Sequence, residues 1–173
     1  MTDPAPGSLL KPVYQKDYIL FMVEQFGRLL RKLIQYITEG RFDDATFEIE
    51  QVYRQYLGIN SDLINRMPYQ SLMLLQQADP ETYHDKCIVL AELLRLEGDI
   101  FSGSGVLREA LGRYTRSLCV YLTVLLDEPE ERFSEYKERV PELESALKPV
   151  LAGLNENMPG ECAELLRQYK EIA

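Results

Sequence analysis

Apolar positions recur at spacings of three and four along most of the chain, and turn residues interrupt them often enough to divide it into helices. From Asp17 to Glu39, the positions Ile19, Met22, Val23, Phe26, Leu29, Leu30, Leu33 and Ile37 make one wide apolar face, which predicts a helix closed by Gly40. Asp43 and Asp44 favour a new helix start, and the segment running to about Leu57 is expected to bury Ala45, Ile49, Val52 and Tyr56. Between Asn60 and Gln77 the spacing stays helical, but Pro68 lacks a backbone donor and clashes with the preceding turn. A kinked helix and two short helices both fit that segment. Asp79-Pro80-Glu81 reads as a cap followed by proline at the first helical position, opening a helix that runs to about Phe101.

Ser102-Gly103-Ser104-Gly105 predicts a tight turn between two antiparallel helices. The second of these, Val106 to Leu126, is the most apolar stretch, and Leu107, Ala110, Leu111, Tyr114, Leu118, Tyr121, Leu122 and Leu125 mark it as the central helix of the core. Pro129, Pro141, Pro149 and Pro159 then punctuate shorter acidic helices at about 129–139, 141–152 and 159–172. No segment alternates with a period of two, so no sheet is expected. The expected class is all-α, with about seven antiparallel helices in a single domain. That domain comprises an extended lead over 1–15, helical hairpins over 16–126 and acidic helices over 127–173.

A chain of 173 residues that is 46% apolar can bury a core without cross-links. The longest apolar run, Leu118 to Leu126 broken by Thr123, is about half of the roughly 20 residues a membrane span needs, so no membrane partner is expected. Asp3 and three prolines stand where a signal peptide would place positive charge and an unbroken apolar run. Cys87, Cys119 and Cys162 are odd in number and widely spaced, as in a cytoplasmic protein with reduced thiols. A net charge of −9 argues against nucleic acid as a partner. The charge is uneven, with six basic and four acidic residues over 1–41 but six basic and twelve acidic over 127–173.

Residues 91–118 carry Leu94, Gly98, Phe101, Gly105, Ala110, Tyr114 and Ser117, in an order of large, small, aromatic, turn, small, aromatic and small that resembles a tetratricopeptide repeat. Glu97 departs from the leucine the family prefers. A second, weaker copy spans residues 26–57 through Tyr36, Gly40, Ala45, Ile49 and Val52, with Leu33 in place of the small residue. Gly40 and Gly105 are 65 positions apart, close to twice the family's period of about 34. The whole chain also resembles uncharacterised bacterial helical-repeat proteins. The resemblance implies a right-handed array of hairpins in which small residues let paired helices approach, and a concave groove that binds peptide. Carried over by offset, the groove residues are Glu92, Arg95, Asp99 and Ser102 from one hairpin and Leu30, Ile34, Ile37 and Thr38 from the other. Arg95 and Asp99, four apart, also suit a simple ion pair on a solvated face.

Candidates for chemistry are few. His84 and Cys87, three apart beside Asp85, would need further nitrogen or sulfur ligands to hold tetrahedral zinc, so neither metal nor cofactor is expected. The single histidine has no nucleophile motif around it, and Glu92, Glu97 and Asp99 read as helix decoration facing water. Gly98 to Gly105 follows a helix and lacks a lysine, which excludes a phosphate loop. Eleven tyrosines without a tryptophan suit hairpin cores and interfaces alike. The expected function is a non-enzymatic interaction module for a protein or peptide partner. The alternatives are a homodimer through the first helix, where Tyr18, Leu20 and Phe21 lie off the main stripe, and a small-ligand site between helices.

Overall fold

Where the apolar spacing breaks, the backbone turns. The computed structural model describes residues 24–128 and 131–173, and among them all regular structure is helical. The expected lead, the first turns of the first helix, Tyr18, Leu20, Phe21 and Pro129 lie outside the described residues. Helix α1 covers residues 24–38. Gly40, at φ +74°, donates its N–H to Ile37 O (3.0 Å) while Arg41 N–H reaches Tyr36 O (2.8 Å), so two orphan carbonyls are satisfied at the helix end. Helix α2, Phe42–Val52, continues into a π-helical turn, Tyr53–Leu57. The wider turn corrects the expected inner face: Tyr53 and Leu57 are buried with Ala45, Ile49 and Val52, whereas Tyr56 is half-buried and donates to Gln25 Oε1 at 3.1 Å.

Pro68 separates two short helices, α3 (Ser61–Arg66) and α4 (Tyr69–Leu74), the latter followed by a 3-10 turn, Leu75–Ala78. The break frees carbonyls at the end of α3, and the Arg116 guanidinium takes them, donating to Ile64 O and to Met67 O (3.3 Å). Helix α5, Tyr83–Gly103, starts later than Asp79-Pro80-Glu81 suggested. Thr82 N–H bonds back to Asp79 O (3.3 Å), so that signal closes a turn and the helix opens after it. Its far end also corrects the expected turn, because Ser102 and Gly103 remain helical. Gly105, at φ +77°, makes the reversal with the same pair of bonds as at Gly40: Gly105 N–H to Ser102 O (3.1 Å) and Val106 N–H to Phe101 O (2.9 Å).

Helix α6, Leu107–Asp127, is central as expected, packing against α4, α5 and the two C-terminal helices. Gly98 of α5 faces the Tyr114 ring of α6, and a Cβ there would meet three ring atoms at 3.0 Å or less. Ser117 is buried beside them, donating its hydroxyl to Ala91 O at 2.7 Å. The segment expected at 129–139 is 3-10 over Glu131–Glu138, with a kink at Phe133. Helix α7 then runs unbroken from Arg139 to Leu154, and α8 covers Gly160–Ile172. Pro141 therefore does not start a helix of its own. It sits in the first turn of α7, where a missing N–H costs nothing, and Pro149 lies within that helix.

Candidate functional site

The face of α5 proposed by offset as a groove is closed by the chain itself. Glu92 is 0% exposed, and its carboxylate accepts from Arg95 (3.0 Å) on its own helix, from Arg139 of α7 (2.6 Å) and from the Tyr121 hydroxyl of α6. Burial pushes this carboxyl up, but the Arg95 and Arg139 charges and the Tyr121 hydroxyl outweigh it and hold Glu92 below its usual range. Arg95 also lies 3.8 Å from Asp99, so the two pair as the spacing suggested, though in a largely covered setting. Asp99 accepts from the Tyr114 hydroxyl at 2.6 Å, and burial raises its pKa. Ser102 is half-buried in the last turn of α5. The offset argument placed Glu92 on open surface because it took no account of a helix returning from 47 residues further along.

The α1 positions are more open. Ile34 is 46% exposed, and Thr38, also exposed, returns its hydroxyl to Ile34 O at 2.8 Å. Ile37 and Leu30 are half-buried. Leu30 alone among the eight lines the cleft of about 310 Å³ where α1 and the first half of α5 meet the 131–138 segment. Its base is apolar, built from Phe26 of α1, Ile88 and Val89 of α5, and the buried Phe133. Gly27 and Leu30 form the α1 wall; Tyr136 and Glu135 form the opposite one. Asp85 and Arg132 close one side as an ion pair at 2.5 Å, with the Arg132 guanidinium lying 4.8 Å over the Phe133 ring.

Two groups in the cleft have polar capacity left over. Among the described residues, neither the Glu135 carboxylate nor the Tyr136 hydroxyl has a hydrogen-bond or ion-pair partner. Burial and the nearby Glu135 and Glu92 charges push Tyr136 up to about 12, so the phenol keeps its proton at neutral pH and can donate it. The Tyr136 ring stacks on Tyr121, with centroids 6.3 Å apart, and so joins the cleft wall to the Glu92 cluster.

A second interior cluster explains Glu97, the departure from the repeat pattern. Its side chain is only 14% exposed and accepts from the Tyr53 hydroxyl presented by the π turn. Arg113 Nε stands 3.4 Å away, while the same guanidinium donates to Asn65 Oδ1 at 2.6 Å. Burial raises the Glu97 pKa against the opposing Arg113 charge. Of the three acids expected to face water, Glu92 and Glu97 are thus covered polar groups of the fold while Asp99 stays about 35% exposed, a division that helix spacing alone does not reveal.

Among the described residues no three histidine, cysteine or acidic side chains converge as a metal site. His84 Nδ1 lies 3.5 Å from Glu128, and burial pushes the Cys87 thiol up to about 12, which makes it a poor nucleophile at neutral pH. No described helix is long and apolar enough to cross a membrane. No protein-family model, curated protein or solved structure matches the chain.

Proposed function

We propose that this chain is a non-enzymatic interaction module that receives a segment of a partner protein in the cleft between α1, α5 and residues 131–138. The observation that carries the reading is the apolar base of Phe26, Ile88, Val89 and Phe133 beside two uncommitted polar groups, Glu135 and Tyr136. Binding pockets combine an apolar floor with a few polar groups that fix orientation, and peptide anchors are large side chains seated in such pockets. The matching segment places a bulky apolar side chain on the floor and a donor, or a basic group, opposite Glu135. Leu30 is the one residue shared with the groove expected from the repeat resemblance.

Peptide display against the full chain tests this, with Gly27→Leu as the blocking variant. Among the described residues a Cβ at Gly27 would meet only the Arg31 guanidinium, at 4.0 Å, so the larger side chain fits the helix and projects from the cleft wall. The expected outcome is selected peptides whose affinity drops about tenfold or more on Gly27→Leu and less on Glu135→Gln, with the fold intact because glycine inside a helix costs about 0.5–1 kcal/mol relative to alanine. Peptides that bind Gly27→Leu as well as the parent would exclude the cleft. Light scattering at the same concentrations separates this reading from self-association through α1.

A further inference from the structure

The lining of the cleft has a sign. Among the described residues that form it, Asp85, Arg132 and Glu135 carry charge. Asp85 and Arg132 face each other at 2.5 Å and cancel, which leaves the exposed Glu135 carboxylate as the uncompensated charge of the lining. Arg31, beside Gly27 on the facing wall, makes no ion pair with it. An acidic segment therefore meets repulsion at Glu135 and finds Arg132 already engaged. The region 127–173, with twelve acidic side chains against six basic ones, adds to the same field.

The rings beside the carboxylate narrow the choice of cation. A lysine ammonium is strongly hydrated and acts as a point charge, whereas the arginine guanidinium is planar, sheds water more readily and lies flat on aromatic faces. The cleft already holds one example from its own chain: the Arg132 guanidinium stands 4.8 Å over the Phe133 ring while it pairs with Asp85. Tyr136 and Glu135 offer the same two groups, an aromatic ring and a carboxylate, with no cation between them among the described residues. The stack on Tyr121 holds the Tyr136 ring in place.

Resting on the reading of the cleft as a docking site for a partner segment, we propose that this segment is basic and that the group opposite Glu135 is an arginine. Its guanidinium pairs with the Glu135 carboxylate and lies against the Tyr136 ring, while the bulky apolar side chain of the same segment fills the floor. The Tyr136 hydroxyl is left to donate to a main-chain carbonyl of the segment.

Random peptides displayed against the full chain test this, each selected sequence being resynthesised with its arginine kept, replaced by lysine, or replaced by citrulline, which retains the shape and removes the charge. The expected binders are lost on Gly27→Leu and carry an arginine. Citrulline weakens them about threefold or more on the parent protein, with lysine between the two, and in Glu135→Gln the arginine and citrulline forms bind within about twofold of each other. Glu135 is exposed, so Glu135→Gln leaves the fold intact. Peptides blocked by Gly27→Leu that lack arginine, that lose nothing as citrulline or lysine forms, or whose citrulline loss persists undiminished in Glu135→Gln would overturn the arginine assignment and leave the docking reading standing. Arginine peptides indifferent to Gly27→Leu, or a selection with no peptide blocked by it, would overturn the docking reading and this inference with it.

Discussion

At the residue scale, glycines one helix apart have opposite meanings. A Cβ at Gly98 would enter the space of the Tyr114 ring, so Gly98→Ala is expected to destabilise the fold by about 1–3 kcal/mol through overpacking. Gly112, on the facing helix, has only an arginine nitrogen at 3.9 Å, and Gly112→Ala is expected to stabilise by about 0.5–1 kcal/mol through backbone entropy. Urea unfolding of both variants measures the contrast. Equal effects would mean that the α5–α6 contact is looser than the ring placement implies.

At the element scale, α5 carries three carboxylates whose titrations pull in different directions. Glu92 has a folded pKa below its ordinary value near 4.5, so its stabilisation is complete above that value and is lost as pH falls through the lowered one. Glu97 and Asp99 have raised folded values, so the stabilisation they give as neutral acids holds below their ordinary values and is lost as pH rises through the raised ones. Glu92→Gln should therefore flatten the acid limb of the stability profile, while leaving Arg95 and Arg139 without their anion at a cost of about 3 kcal/mol. Glu97→Gln should flatten the opposite slope. Urea titrations between about pH 3 and about pH 7 read both signs, and a parallel shift of the two variants would contradict the assignment. The helices themselves were largely legible in the sequence, because apolar spacing and the glycines at 40 and 105 depend only on neighbours. The start of α5 and the continuity of α7 were not, since Asp79-Pro80-Glu81 and Pro141 suit more than one local geometry. The interior carboxylates escaped for a different reason: their partners, Arg139 and Tyr53, arrive from 47 and 44 positions away.

At the scale of the whole molecule, the cleft belongs to no single element. Leu30 was legible as part of an apolar stripe, but the wall facing it comes from the acidic C-terminal third, whose Arg132 reaches Asp85 across 47 positions. Periodicity supplies the stripe and leaves its neighbour unspecified. The 131–138 segment then does two things at once, presenting Tyr136 to the cleft and resting that ring on Tyr121, whose hydroxyl ends on Glu92. A ligand in the cleft that shifts the Tyr136 ring is therefore expected to be felt at Glu92 through Tyr121, and such coupling is reciprocal. Calorimetry in buffers of different ionisation enthalpy, at a pH below the ordinary Glu92 value near 4.5, should then show a binding heat that varies with the buffer, and the variation should vanish in Glu92→Gln. A buffer-independent heat in the parent protein would sever the two.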